Sequence, residues 1–177
     1  MEQTQQHAAP DDTDRSRTVR WQDPRVGAER ARGTAGLELL RAIAAGEVPP
    51  PPVMAVLPFE AVEAEAGRVV FALDPAEFHY NPLGTVHGGV LATVLDSAAG
   101  CAVHSTLPAG TGYTSLDLSV RFVRAVTADS GRLRCEGSVL SRGRRTAVAE
   151  ARLTDARDRL VAHATSTCLL LPAAPAT

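Results

Sequence analysis

The stretch from Asn81 to Asp96 constrains the fold of this chain more than any other, and it reads N-P-L-G-T-V-H-G-G-V-L-A-T-V-L-D. Asn-Pro and Leu-Gly predict a turn. The apolar residues after the His87-Gly88-Gly89 run recur at spacings of three and four residues, as an amphipathic helix requires. We predict that this helix runs from Gly88 to about Ser105, which puts the glycine pair in its first turn.

The first turn of a helix has backbone N–H groups without intrahelical partners and carries the positive end of the helix dipole. A glycine there lets a ligand oxygen approach the backbone, so Gly88 suits a carbonyl that becomes an oxyanion during acyl transfer. Asp96 falls where the apolar pattern predicts at least partial burial, and a carboxylate is costly to place there without a purpose. We therefore regard both residues as candidates for one acyl-transfer site.

Helix geometry decides how Gly88 and Asp96 can act together. Eight residues at about 1.5 Å each separate them by roughly 12 Å, which is too far for both to contact one carbonyl carbon. A two-fold axis between antiparallel helices would bring Asp96 of one protomer to Gly88 of the other. The spacing therefore predicts a dimer with two composite sites.

Composition excludes several other classes of protein. The 177 residues are 45% hydrophobic, which suits one globular domain plus an appendage, and the net charge of -2 gives no reason to expect nucleic acid or an anionic membrane as partner. Cys101, Cys135 and Cys168 are too widely spaced to indicate a disulfide framework or a zinc site. No apolar run has the length of a membrane span or of a signal-peptide core, so we expect a cytoplasmic protein.

The chain divides into an N-terminal appendage and one domain. The first twenty residues are polar without periodicity and are expected to be disordered. An arm follows with one predicted helix, capped by Thr34 and stopped by Gly46, and then a spacer of four prolines. We expect Trp21 to pack on the domain or on a neighbouring protomer. The predicted segments are a tail 1–20, an arm 21–52, a domain 53–171 and a tail 172–177.

Alternation and turn residues predict about six antiparallel strands around the long helix, which is an α+β plan. Alternation is clearest after the helix, where Leu116, Leu118, Val120 and Phe122 face one way and the residues between them face the other. The predicted strands are Val53 to Ala64, Arg68 to Leu73, Thr114 to Val123, Gly131 to Ser141, Arg145 to Thr154 and Arg159 to Leu170.

Asn81, His87-Gly88-Gly89 and Asp96, at these spacings, resemble the motif of the hotdog-fold acyl-coenzyme A thioesterases of the phenylacetate-pathway (PaaI-like) branch. The resemblance covers roughly Val53 to Leu171. It implies a long central helix wrapped by an antiparallel sheet, an extra N-terminal helix, active sites at a homodimer interface and further association into a homotetramer. It implies no cofactor, and the sequence indicates no metal site.

The resemblance also implies roles for the residues of the motif. Asp96 is the catalytic carboxylate, acting either as nucleophile or as general base, and the sequence leaves this choice open. Gly88 donates its N–H to the oxyanion, and Gly89 keeps the site open. His87 is expected either to donate to the thioester or to hold the loop. Asn81 is expected either to polarise the thioester or only to form the turn before Pro82.

Further candidates come from the resemblance and from composition. Ser115, or its neighbour Thr114, is expected to orient the attacking water. Three arginines at a strand turn are candidates for binding the phosphates of coenzyme A, although a charged surface hairpin is an equal alternative, and four apolar residues are candidates for the acyl-pocket wall. The arginines are Arg142, Arg144 and Arg145, and the apolar residues are Leu39, Leu40, Ile43 and Met54.

The function predicted from the sequence is hydrolysis of an aromatic or medium-chain acyl-coenzyme A to the free acid and coenzyme A. A non-catalytic acyl-coenzyme A sensor is one alternative, but sensors of this fold carry a DNA-binding segment that is not evident in the N-terminal arm. A hotdog hydratase or dehydratase is a weaker alternative, because its pattern places the Asp and His differently.

Overall fold

The computed structural model describes residues 13–171, in which a long helix lies across a curved antiparallel sheet. The helices are α1 (Pro24–Gly33), α2 (Gly36–Ala44), α3 (Val53–Val56) and α4 (Gly88–His104). The strands are β1 (Phe59–Glu65), β2 (Arg68–Leu73), β3 (Gly112–Ser115), β4 (Ser119–Phe122), β5 (Leu133–Arg142), β6 (Thr146–Thr154) and β7 (Leu160–Leu171). This is the hotdog α+β fold expected from the sequence.

The sheet runs in the order β1-β2-β5-β6-β7-β3, and β4 pairs with β7 beside β3. Every pairing is antiparallel, and three of the six pairs, β1–β2, β5–β6 and β6–β7, are joined by short turns. β1 and the β3/β4 pair are therefore the two edges of the sheet among the described residues. α4 lies on one face of the sheet and packs mainly on β2, β5, β6 and β7.

The core is formed where α4 meets the middle of the sheet. Val94, Leu95 and Ala98 are fully buried there. The contact is closest at Gly137 of β5, where an added Cβ would lie 2.1 Å from the carbonyl oxygen of Ala98. Only a residue without a side chain allows the helix backbone to approach the strand so closely, so Gly137 fixes where α4 lies on the sheet.

The N-terminal arm contains two helices ahead of α3, whereas the sequence predicted one helix in this region. Asp23 starts α1 by accepting the N–H of Arg25 at 3.0 Å, with Pro24 at the first helical position. Thr34 does not cap a helix N-terminus as expected: it lies at the C-terminus of α1, and its hydroxyl donates to the carbonyl of Arg30 at 2.8 Å. α1 buries no residue, so it lacked the apolar stripe that would have predicted it.

α2 is the helix that the sequence predicted, and it ends as expected before Gly46, which has φ +75°. It packs on β1 and on the C-terminal end of α4. Gly36 is required there, because a Cβ would lie 1.8 Å from the carbonyl oxygen of His104. Trp21 lies ahead of α1 with 61% of its surface exposed and lines a groove with Pro49, Pro50 and Ala55, so the described chain covers it only in part.

Part of the predicted N-terminal tail contacts the domain. Residues 1–12 and 172–177 lie outside the described part, so only residues 13–20 of the predicted tail are described. Arg17 donates to the carbonyl of Ala55 at 2.6 Å and to that of Val56 at 2.9 Å. Its guanidinium also lies 4.4 Å from the ring centre of Phe78, a distance at which a cation is attracted to an aromatic face.

Two of the predicted strands differ from the structure. The strand expected from Val53 to Ala64 begins only at Phe59, because Pro52 leads into the short helix α3. The strand expected from Thr114 to Val123 is interrupted after Ser115, where the Asp117 carboxylate accepts the N–H of Thr167 at 3.0 Å. This break divides it into β3 and β4, which is why the sheet has seven strands rather than about six.

Candidate active site

The candidate acid, Asp96, lies half-buried in the third turn of α4. Its carboxylate accepts a hydrogen bond of 3.0 Å from the hydroxyl of Ser115 on β3. Both side chains open into a groove of about 400 Å³ between α4 and the segment that follows β3. The groove is lined by Ala92, Thr93, Asp96, Ser115, Leu116, Asp117 and Leu118.

The register of β3 distinguishes Ser115 from Thr114. Ser115 lies opposite Cys168 of β7, which is fully buried, whereas Thr114 lies opposite Leu169. Because paired residues of a sheet share a face and successive residues alternate, Ser115 faces α4 and Thr114 faces away. The structure therefore brings Ser115, and not Thr114, to the carboxylate.

The other candidates lie at the start of α4. His87 is the N-cap residue, and its Nδ1 accepts the N–H of Gly89 at 2.9 Å. A neutral ring in this position carries its proton on Nε2. The N–H of Gly88 has no acceptor within the described chain, as expected for the first helical residue. Phe122 of β4 lies beside it, with Cζ 3.1 Å from where a Cβ of residue 88 would be.

Asn81 organises the loop before α4. Its Oδ1 accepts the N–H of Leu83 at 2.8 Å and that of Thr85 at 3.3 Å, and its Nδ2 donates to the hydroxyl of Thr85 at 2.9 Å. The His87 N–H in turn donates to the carbonyl of His79 at 2.8 Å. Within one protomer, Asn81 therefore acts as a turn-forming residue, and neither Asn81 nor His87 lines the groove at Asp96.

Two polar residues near Asp96 were not predicted as site residues. Asp117 lines the same groove, so two carboxylates share it. Tyr113 lies on the inner face of β3 two residues before Ser115, and burial, followed by the nearby Cys101, Cys168 and Asp96, raises its pKa well above the usual value. Its hydroxyl therefore keeps its proton. The alternation predicted from Thr114 to Val123 puts Asp117 on the face of Ser115, and Tyr113, two residues before Ser115, continues that face, which was the available signal.

Cys101 is also close to this site, five residues beyond Asp96 on α4. Burial raises the pKa of its thiol to about 12, against a smaller lowering by a hydrogen bond from Tyr113. At neutral pH the thiol is protonated, so it is not a nucleophile. Within residues 13–171, no three His, Cys, Asp or Glu side chains are grouped as a metal site would require.

The amino-acid pattern of the thioesterase superfamily matches residues 83–162. A solved structure from Ralstonia eutropha, provisionally described as a thioesterase and phenylacetic acid degradation-related protein, is 30% identical. The match covers 73% of this chain and 98% of that one, with a TM-score of 0.67. The chain belongs to the thioesterase superfamily. The resemblance to hotdog thioesterases predicted from Asn81, His87-Gly88-Gly89 and Asp96 is thereby confirmed.

Two other similar proteins extend the comparison of this thioesterase-superfamily chain. A Streptococcus mutans protein solved bound to acetyl CoA is 27% identical, with 65% of this chain and 90% of that chain covered and a TM-score of 0.60. A curated protein of Halobacterium salinarum, provisionally named an esterase, is 39% identical over 69 residues, or 38% of this chain. The match spans 44% of that relative's length.

The remaining candidates lie away from Asp96 in the protomer. Leu39 and Leu40 are buried, and Ile43 and Met54 are partly buried, in the N-terminal part of the molecule. None of these four residues lines the groove at Asp96. Three arginines are exposed at the β5–β6 turn as expected, and no ion pair within the described part of the chain occupies them: Arg142, Arg144 and Arg145.

No helix in residues 13–171 combines the length and the apolar character needed to cross a bilayer.

Proposed function

We propose that this protein hydrolyses acyl-coenzyme A thioesters, with Asp96 of one protomer and the Gly88 N–H of its partner in each active site. The observation that carries the proposal is the Asp96 carboxylate, fixed by the Ser115 hydroxyl at 3.0 Å in an open groove. A carboxylate that is oriented and still accessible to solvent is what attack on a thioester, or activation of a water, requires.

The two-protomer site follows from the distance along α4. Gly88 and Asp96 lie eight residues apart on a continuous helix, or about 12 Å, and the groove at Asp96 contains no residue of the first turn. The Gly88 N–H is left without an acceptor within the described chain. A second protomer would supply each acid with a donor and each donor with an acid.

The β3/β4 edge of the sheet is the surface that we assign to this dimer. Leu116, Phe122 and Val123 leave 58%, 55% and 58% of their surfaces exposed along it. Strands at the edge of a sheet present unpaired backbone groups, and an apolar edge left in water promotes association. Pairing of this edge with its copy would bury the apolar side chains next to both Ser115 and Gly88. Two such dimers are expected to form a tetramer.

In the proposed reaction, the thioester carbonyl carbon is attacked on the face that Asp96 approaches, and the sulfur of coenzyme A departs as a thiolate, which takes up a proton from water or from the protonated carboxyl group. If the carboxylate attacks, a mixed anhydride forms and water then cleaves it. If the carboxylate instead takes a proton from water, the oxygen of that water adds to the carbonyl carbon, and the tetrahedral intermediate then expels the sulfur and leaves the free acid without a covalent acyl-enzyme. In both routes the carbonyl oxygen becomes negative, and one aligned N–H typically lowers such a barrier by about 3 kcal/mol.

Support for coenzyme A as the leaving group comes from two observations. A similar protein of Streptococcus mutans binds acetyl CoA. Three arginines of the β5–β6 turn are exposed and suited to phosphates, since guanidinium groups bind phosphate oxygens in pairs. The proposed acyl class is aromatic or medium-chain. The proposed place for Leu39 and Met54 is the acyl-pocket wall of an assembled site, not the groove of their own protomer.

The test is release of free thiol from phenylacetyl-, benzoyl-, hexanoyl- and long-chain acyl-coenzyme A by the wild type and by Asp96→Asn. We expect the wild type to cleave at least one ester and the variant to lose about a hundredfold or more in kcat, because the amide can neither attack nor take a proton. Asp129→Asn is the matched control, since this carboxylate is exposed in a turn outside the groove. Binding of the esters without thiol release would overturn the proposal and favour a sensor.

A further inference from the structure

β3 is a short strand whose attachment to α4 depends on two side chains. It has four residues and pairs only with β7 among the described strands. Tyr113 and Ser115 lie opposite Leu170 and Cys168, both buried, so these two side chains face α4. Ser115 ends on the carboxylate of Asp96. The position of Ser115 therefore depends on what holds the rest of β3 against the helix.

The Tyr113 ring occupies a gap in the surface of α4 that Gly100 creates. A Cβ at residue 100 would lie 2.8 Å from both Cε2 and the hydroxyl oxygen of Tyr113, closer than carbon atoms approach without displacement. Gly100 follows Asp96 by four residues, so the two positions are neighbours on one face of the helix. Tyr113 and Ser115, two residues apart on β3, therefore lie opposite Gly100 and Asp96, which are one turn apart on α4.

Further contacts hold the Tyr113 ring in this gap. Its hydroxyl lies close enough to Cys101 for each group to influence the pKa of the other, and its ring centre lies 5.4 Å from that of His104. The ring is thereby held by three residues of the last two turns of α4. Beyond Ser115 the chain is tied to β7: the Leu116 N–H donates to the carbonyl of Thr167 at 2.8 Å, and the Asp117 carboxylate accepts the Thr167 N–H at 3.0 Å. These bonds hold the segment to the neighbouring strand and leave the contact with α4 to Tyr113 and Ser115.

We propose that Tyr113 is a positioning residue. By packing its ring against Gly100, it holds the Ser115 hydroxyl within hydrogen-bond distance of the Asp96 carboxylate. The inference rests on the proposed function, because it takes Asp96 as the acid. Tyr113 itself does not line the groove at Asp96, so it acts on the reaction through Ser115 and not through the substrate.

The experiment measures kcat and KM for the best acyl-coenzyme A ester with Tyr113→Leu, Ser115→Ala and the double variant. We expect Tyr113→Leu and Ser115→Ala each to lower kcat about tenfold and to leave KM within about twofold, since neither changes ester binding. The double variant should be no slower than Ser115→Ala alone, because residues that act as one unit are not additive. A merely structural role for the ring would multiply the two losses.

Gly100→Ala tests the same contact between the Tyr113 ring and α4 by changing the helix. The added methyl would displace the ring, so this variant should reproduce the kcat loss of Tyr113→Leu and should also have no further effect in the Ser115→Ala background. Tyr113→Phe keeps the ring and removes only the hydroxyl, and it should stay within about threefold of wild type. If Tyr113→Leu does not fold, Gly100→Ala and its double variant with Ser115→Ala give the same answer.

The outcomes separate the two proposals. If the wild type is active and the kcat losses of Tyr113→Leu and Ser115→Ala multiply in the double variant, the role proposed for Tyr113 is wrong. The same holds if kcat is unchanged in both Tyr113→Leu and Gly100→Ala. In either case the proposed hydrolase activity is unaffected. A wild type that cleaves no ester overturns the proposed function and this inference with it.

Discussion

The register of β3 decides whether Ser115 or Thr114 faces Asp96. The sequence placed both at the start of a strand and left the choice between them open, because a loop of uncertain length precedes the strand. The pairing of Ser115 with Cys168 fixes the inward face, and the 3.0 Å bond to Asp96 follows. The position of Asp96 on α4, about 12 Å from Gly88, was predictable from helix geometry, whereas its role as the acid came from the resemblance and stays a prediction.

Asn81 and His87 show the limit of motif reasoning at this scale. The same residues serve a turn and a helix cap in the protomer, and an asparagine before proline favours a turn in any protein. Spacing cannot separate a local role from a role in chemistry, because both need the same side chain at the same position. Any part they take in chemistry remains a prediction for the assembled site.

His79 gives the protein a pH dependence that can be measured. Its side chain is 2% exposed, Nδ1 accepts the N–H of Ala76 at 3.1 Å, and Nε2 is buried without a hydrogen-bond partner in the described chain. Burial, followed by the charge of Arg17, lowers the pKa of this histidine. Glu77, next to it in the same turn, is engaged by Arg15 at 3.1 Å. The folded protein therefore holds His79 neutral.

The sign of the effect follows from proton binding. Unfolded histidine takes up a proton near pH 6.5, while the folded state resists it, so the free energy of unfolding falls as pH decreases below about 6.5. We expect a lower urea midpoint at pH 5.5 than at pH 7.5, and a smaller difference in His79→Gln. His104→Gln serves as the comparison, because burial also lowers the pKa of His104. Equal pH dependence in wild type and His79→Gln would contradict this.

At the scale of elements, alternation and turns predicted β2, β5, β6 and β7 within one or two residues. The errors arose where a local contact overrides the pattern. The alternating run after Thr114 is broken because the Asp117 carboxylate accepts a backbone N–H of β7. α1 was missed because a polar helix has no apolar periodicity to detect, and its start depends on the Asp23 cap.

Gly137 provides the sharpest test of how α4 lies on the sheet. Gly137→Ala would put a Cβ 2.1 Å from a backbone oxygen of the helix, where no side-chain rotation relieves the overlap. We expect a loss of about 3 kcal/mol or more in the free energy of unfolding, or failure to fold, because overpacking against backbone is costly.

The control for this variant is Gly33→Ala. Gly33 ends α1 with nothing within 4 Å of an added Cβ and no positive φ. Its substitution should change stability by less than about 1 kcal/mol. Urea unfolding of both variants checks the pair, and equal stabilities would show that α4 and β5 are not in the close contact described.

At the scale of the whole molecule, the predicted dimer rests on helix length and on an exposed apolar edge. It can be tested by combining two defects. Gly88→Pro removes the donor N–H at a helical position where proline is tolerated, and Asp96→Asn removes the acid. Each variant alone should be inactive. Co-expressed with different tags and purified through both, they should recover up to about half of wild-type activity, because one of the two composite sites is intact.

Two controls make this complementation decisive. Gly88→Ala adds bulk near Phe122 but keeps the N–H, so it should retain more activity than Gly88→Pro. A doubly tagged preparation that carries Asp96→Asn on both chains should stay inactive. If the mixed dimer is as inactive as its parents, each site lies within one protomer and the assignment of Gly88 is wrong. The sequence could indicate two protomers, but which edge they share depends on side-chain exposure that only the fold reveals.

The close packing of α4 against Gly137 has a consequence for how this protein can evolve. The helix carries the donor of one proposed site and the acid of the other, and its backbone lies in close contact with β5 at Gly137. Any substitution that shifts α4 would therefore displace the Gly88 N–H in one proposed site and the Asp96 carboxylate in the other. In the proposed homodimer every substitution is present in both protomers, so the two sites could diverge only after gene duplication had supplied a second, different chain.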